Sequence, residues 1–211
     1  MGAVFLDLDG TLTDPKPGIT GGVIHALTEL GLAVPDADAL EWVIGPSLLG
    51  SFIKLGVPEP DQALAIYRQH YSDGGMFDCT VYDGIPEALQ SLHDAENRLF
   101  LMTAKPHVFA KKITAHFGLN TYLEAEFGPE LDGTRQDKAD LLRHALELTG
   151  IDAAQSVMIG DRSHDLDAAR GNDMRFIGVD WGYGTELELA SADQRCAEAS
   201  DLPEAVKTLL R

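Results

Sequence analysis

Short runs that are apolar on both faces recur along this chain and alternate with stretches of helical spacing. Residues 4–8 are the first such run and read as a buried parallel strand, with Asp7 and Asp9 emerging together at its carboxyl end. Residues 98–102, the weaker 125–127, then 157–159 and 176–179 read the same way. Between them lie helical stripes: Ile85, Leu89 and Leu92; Phe109, Ile113 and Phe117, stopped by Gly118; and Leu141, Leu142, Ala145 and Leu148. The last of these belongs to a helix over 137–149 with Asp137 as its cap and Gly150 as its stop. Shorter helices are expected over 165–169 and 185–190, and a terminal one over 202–210. This alternation predicts an α/β fold, a Rossmann-like parallel sheet with right-handed crossovers.

One stretch departs from the pattern. Pro15-Lys16-Pro17-Gly18 is expected to break any regular element. Beyond it, Val23, Leu27 and Leu30 share a helical face that ends at Gly31, and further helical patterns cover 38–43, 47–55 and 61–71. No strand is expected between residues 15 and 75, and the turns at Gly74-Gly75 and Asp83-Gly84 bracket the return to the α/β pattern. The expected organisation is therefore an α/β core of residues 1–14 and 80–211, interrupted by a helical domain of residues 15–79. Phe52, Tyr67 and Tyr71 read as the core of that insert. Gly45-Pro46 within it suits either a specificity loop or a simple helix break.

Composition narrows the function. With 16 basic and 34 acidic residues among 211, the formal charge is −18, which argues against a nucleic-acid surface, because a phosphate backbone would be repelled. The two cysteines, Cys79 and Cys196, form no CxxC pair, so neither a disulfide framework nor a thiolate metal site is expected, and a reducing cytoplasm fits. No targeting segment and no run of membrane-spanning length is expected.

Chemistry gathers at the strand ends. Asp7 and Asp9, then Thr103, then Asp161 all fall where a parallel sheet collects its ligands. Three carboxylates that close raise one another's pKa, and a hard divalent cation with oxygen ligands removes the conflict, Mg²⁺ suiting the set better than Ca²⁺ or zinc. With a cation present, one carboxylate can attack phosphorus to form an aspartyl phosphate while its neighbour moves the proton. The Thr103 hydroxyl, a helix-start N–H and a lysine can hold the phosphoryl oxygens, Lys138 and Lys105 being the two candidates.

DLDGT at 7–11, a strand-end hydroxyl at Thr103, Lys138 at a helix start and GDRSHD at 160–165 together resemble the haloacid dehalogenase superfamily of phosphotransferases. DLDGTLTDPKPGIT, TAKP and LDGTRQDK look like its phosphoglycolate phosphatase-like and 5'-nucleotidase-like branch. The resemblance implies that Asp7 is the nucleophile and a Mg²⁺ ligand, and that Asp9 is the general acid/base with its carbonyl on the metal. It implies that Thr103 binds the phosphoryl group, that Lys138 neutralises nucleophile and phosphate, and that Asp161 and Asp165 hold or orient the metal. Gly10, Thr11, Thr103, Ala104, Lys105 and Gly45 are the candidate substrate contacts, and the helical insert would be a cap. Ala104 stands where the family often has asparagine, and no proline follows Lys138.

The expected protein is a Mg²⁺-dependent phosphomonoesterase, cytoplasmic, a monomer or homodimer, acting on a small phosphorylated metabolite such as phosphoglycolate or a nucleoside 5'-monophosphate. Neither nucleic acid nor membrane is an expected partner. A phosphomutase would use the same residues. A phospho-acceptor signalling domain would gather similar groups but lack the helical insert, and a catalytically silent binding protein would have no need of Asp7 and Asp9 together.

Overall fold

The computed structural model describes residues 2–210. In chain order, β1 (Ala3–Leu6) and β2 (Thr13–Asp14) are followed by α1 (Lys16–Glu29), α2 (Leu48–Lys54) and α3 (Pro60–Ser72), then by β3 (Thr80–Val81). Next come α4 (Ile85–Asp94), β4 (Arg98–Met102), α5 (His107–His116), β5 (Ala125–Phe127), α6 (Lys138–Thr149) and β6 (Ser156–Gly160). The chain finishes with α7 (Ser163–Arg170), β7 (Arg175–Val179), β8 (Gln194–Cys196) and α8 (Leu202–Leu209). Two compact units result: the chain up to Thr13 together with Val81 onward, and Asp14–Thr80.

The first unit is built on a six-stranded sheet in the order β5-β4-β1-β6-β7-β8, every neighbouring pair parallel. It is the α/β architecture that the alternating pattern predicts. Leu6 of β1 is in register with Leu101 of β4 and with Ile159 of β6, so the three central strands end level with one another. These strands are buried on both faces, which is why they read as continuous apolar runs. Phe5 stacks on Phe100 with ring centroids 5.0 Å apart, and Met158, Phe176, Leu141, Leu142 and Ala145 complete that side of the core.

In the second unit α1, α2 and α3 pack around Phe52, Tyr67 and Tyr71, all buried. Tyr67 stacks on Tyr71 at 5.3 Å, and Gly22 of α1 lets the Tyr67 ring approach, since a methyl group there would lie 2.7 Å from it. Among the described residues this unit contains no strand beyond Asp14 and Thr80, at its two ends. No helix among the described residues is long and apolar enough to cross a membrane.

Four expectations are corrected. Pro15-Lys16-Pro17-Gly18 does not break the chain: α1 starts at Lys16, with Pro15 as its cap and Pro17 in its first turn, where an N–H has no intrahelical partner to lose. The stretch 38–43 lies within a 3₁₀ helix, Ala37–Val43, rather than an α-helix. Leu148 is 68% exposed, because the apolar stripe of α6 runs on through Leu146, which packs against the core. Residues 185–190 form only hydrogen-bonded turns: Glu188 accepts the Thr185 N–H and hydroxyl, and this local closure replaces a propagating helix. Strand β8 was not expected, since Gln194 and Arg195 give an edge strand no apolar signature.

Candidate active site

The site forms where β1, β4 and β6 end. Asp7 directly follows β1, and its N–H still joins the sheet, donating to Ile159 O at 2.9 Å. The chain then turns sharply: the Leu8 carbonyl accepts from Thr11, Leu12 and Thr13, and Gly10 N–H donates to Thr13 O. Gly10 has φ +83°, open to glycine at little cost, and it faces Asp161 so closely that a Cβ would collide with the Asp161 carboxylate. Asp7, Thr11, Thr103, Lys105, Lys138, Asp161 and Asp165 are all buried.

Two lysines reach this cluster from different directions. Lys138, the first residue of α6, lies with Nζ 2.8 Å from Asp7 Oδ1 and is hydrogen-bonded to Asp165. Asp137 caps α6 by accepting from Asp140 N–H at 2.9 Å. A cation at a helix N-terminus is opposed by the helix dipole, so Lys138 is placed for the carboxylates and not for the helix. Lys105 follows Thr103 and Ala104 at the end of β4 and lies with Nζ 2.8 Å from Asp9 Oδ2, while its N–H donates to Thr103 Oγ1 at 3.2 Å.

On the β6 side, Asp161 Oδ2 accepts the Tyr183 N–H at 2.7 Å. Asp165 has both carboxylate oxygens engaged, Oδ1 by Lys138 and Oδ2 by the Arg162 N–H at 2.9 Å. The candidates Asp7, Asp9, Gly10, Thr103, Lys105, Lys138, Asp161 and Asp165 therefore form one connected cluster. Ala104 lies between two of its members, and Thr11 joins through its carbonyl, which accepts the Trp181 Nε1–H at 3.0 Å. Gly45 belongs to the other unit, where it has φ +101° just before α2.

Burial and mutual repulsion dominate the electrostatics. Burial first, then the Asp165 and Asp9 charges, push the Asp7 carboxyl up to about 7 despite Lys138. Burial, then Asp165 and Asp7, push Asp161 well above the usual carboxylate range. For Asp165 burial acts in the same upward direction, but Lys138 and the bond from the Arg162 N–H hold it below its ordinary value. Burial lowers His164.

The donor set suits a hard cation. Asp9 Oδ1 and Asp161 Oδ1 are buried and have no hydrogen-bond partner among the described residues, while Asp7 Oδ1 meets Lys138 Nζ at 2.8 Å. Two such carboxylate oxygens are costly unless something positive meets them, and an all-oxygen set is what Mg²⁺ takes. Asp7, His164 and Asp165 also bring potential ligand atoms within 4.8 Å of one another. Lys138 already pairs with two of those three, Asp7 and Asp165, whereas Asp161 has no ion pair with either lysine among the described residues.

The loop after β7 contributes residues that sequence reasoning missed. Gly182 and Gly184 press on Asp161, where any side chain at either position would collide with it. The available signal was the pair of glycines, Trp181-Gly182-Tyr183-Gly184, just past a strand end.

Residues 4–179 match the family model of the haloacid dehalogenase-like hydrolases. The chain belongs to that family. This haloacid dehalogenase-like hydrolase is 41% identical over 210 residues to a 5'-nucleotidase of Pseudomonas aeruginosa, covering 97% of this chain and 95% of that one. It is 38% identical to the tyrosine-protein kinase PtkA of Mycobacterium tuberculosis over 86% of this chain, which spans 62% of that protein's length. Its structure resembles the crystal structure of a predicted phosphatase from Clostridium acetobutylicum, with a TM-score of 0.92, 37% identity and 98% of both chains covered. The hydrolase is a phosphatase of this fold, and phosphatases of the family generally use a divalent metal.

Proposed function

We propose that this phosphatase hydrolyses a small phosphate monoester through an aspartyl phosphate on Asp7, with Mg²⁺ held by the carboxylates of Asp7 and Asp161 and the backbone carbonyl of Asp9, whose side chain stays free to move the proton. The observation that carries this reading is the buried Oδ1 of Asp161, which meets no hydrogen bond among the described residues and sits in the field of the Asp7 and Asp165 carboxylates. Bound there, Mg²⁺ would neutralise the like charges and draw electron density from the phosphoryl oxygens.

The Asp7 carboxylate attacks phosphorus and the ester P–O bond breaks, the leaving oxygen taking a proton from Asp9. Asp9 then accepts a proton from water as that water attacks the phosphorus of the aspartyl phosphate, which releases inorganic phosphate and restores Asp7. Lys138 offsets charge on Asp7 and on the incoming phosphate, and Asp165 positions Lys138. The Thr103 hydroxyl, whose oxygen accepts the Lys105 N–H, keeps its own O–H to donate to a phosphoryl oxygen. Lys105 and Gly10, Thr11 and Ala104 complete the phosphate pocket.

The helical unit Asp14–Thr80 is the proposed cap, which selects the leaving group, with Gly45 in its specificity loop. Such a unit supports a turnover enzyme over a phospho-acceptor domain. The 41% identity to a 5'-nucleotidase favours a nucleoside 5'-monophosphate over phosphoglycolate as substrate.

A panel of nucleoside 5'-monophosphates, phosphoglycolate and other small phosphate esters, assayed with Mg²⁺ and with chelator, tests the proposal. Inorganic phosphate should be released from a 5'-monophosphate with Mg²⁺ only. Equal release with chelator would contradict the metal assignment, and release from no ester the phosphomonoesterase reading.

A further inference from the structure

Glu188 lies in the turn after β7, in no strand or helix, yet its carboxylate is among the most heavily bonded in the molecule. Its two oxygens serve two different segments. Oε1 accepts from Arg162 Nε at 3.0 Å, from Ser163 Oγ at 3.2 Å and from the Ser163 N–H at 3.5 Å, at the start of α7. Oε2 accepts from the Thr185 N–H at 2.9 Å and from Thr185 Oγ1 at 3.1 Å, at the end of the Trp181–Gly184 loop. Burial opposes the charge, but these bonds from Thr185 and Arg162 outweigh it and hold the Glu188 carboxyl down at about 2.

Each segment so joined bears on Asp161. Arg162 and Ser163 are the two residues that follow it. The loop ahead of Thr185 carries Tyr183, whose N–H bonds Asp161 Oδ2 at 2.7 Å, and Gly182 and Gly184, whose backbones pack directly on Asp161. A backbone donor aims a carboxylate only as well as its own loop is fixed, and this loop has no helix to stiffen it.

We propose that Glu188 is a positioning residue for Asp161: it pins the loop after β7 to the start of α7, and so directs the free oxygen of Asp161 at the cation. The proposal rests on the reading that Asp161 holds Mg²⁺. Substitution by glutamine keeps the size of the side chain but leaves a single acceptor oxygen, so only one of the two segments can be held. The amide group then faces donors.

Mg²⁺ dissociation constants measured by calorimetry on metal-free full-length protein test this, alongside the Mg²⁺ concentration for half-maximal phosphatase activity and the KM for the ester at saturating metal. Glu188→Gln should weaken Mg²⁺ binding by about 10-fold, with KM within about 2-fold of wild type. Thr185→Val, which removes one exposed hydroxyl and is the second variant should Glu188→Gln not fold, should weaken it by about 3-fold. A purely structural loss would lower the active fraction and leave the dissociation constant unmoved, and an unmoved constant in the folded variants overturns the proposal. Asp161→Asn separates the two claims. Wild-type Mg²⁺ binding in Asp161→Asn would overturn the role of Asp161 and this proposal with it, whereas weakened binding there with none in Glu188→Gln overturns the Glu188 proposal alone.

Discussion

Lys138 Nζ lies 2.8 Å from Asp7 Oδ1 and also binds Asp165, so a single buried cation serves two buried carboxylates. Removing one partner of a buried ion pair leaves uncompensated charge, at a cost of about 3–5 kcal/mol. Lys138→Met should therefore lower the Tm of the metal-free protein by about 10 °C. Asp7 can take up a proton to relieve part of that cost, so thermal melts should show a larger loss at pH 8 than at pH 6. An equal loss at both would mean that Asp7 does not share the lysine.

The raised Asp7 carboxyl fixes the sign of a pH effect. Its folded-state value of about 7 lies above the ordinary carboxylate value of 3.8, so between these limits the folded state binds more protons than the unfolded one. The Asp7 contribution is thus favourable below that window and is lost as pH rises from about 4 to about 7. Asp161, also raised, acts in the same direction. Glu188, held down at about 2, acts oppositely, but its stability is lost only as pH falls below its ordinary value of 4.5. Mg²⁺ binds the deprotonated carboxylates, so the rise in Tm on adding Mg²⁺ should be larger at pH 8 than at pH 5, as calorimetric scans at the two pH values will show.

Gly182 offers a sharper steric probe. A Cβ there would run into both Asp161 and the Gly10 carbonyl, which are backbone and buried groups with little room to yield. Gly182→Ala should cut phosphatase activity by about 10–100-fold, chiefly through weaker Mg²⁺ binding. Wild-type activity in this variant would show that the loop can move away without disturbing Asp161.

Much of this arrangement is legible in the sequence because burial on both faces writes itself into composition. Arg98–Met102 falls at the residues where its apolar run places it, and α6 lies between its cap Asp137 and its stop Gly150. The residues Asp7, Asp9, Thr103, Lys138, Asp161 and Asp165 were legible as strand-end and helix-start groups, and the fold does bring them together. What stayed hidden depends on backbone or on local competition. The Tyr183 N–H on Asp161 is a main-chain group that any residue supplies. Residues 185–190 carry a helical pattern that Glu188 overrides by bonding Thr185. Pro17 reads as a breaker until the first turn of α1 is seen to need no N–H there.

The account turns on Asp7 as the attacking group. Its most direct test is the turnover of a nucleoside 5'-monophosphate with saturating Mg²⁺ by wild type and by Asp7→Asn, the fold of the variant being confirmed by thermal melting. The account predicts that the folded variant falls by about 10⁴-fold or more, towards the uncatalysed rate. Undiminished turnover by Asp7→Asn would contradict it.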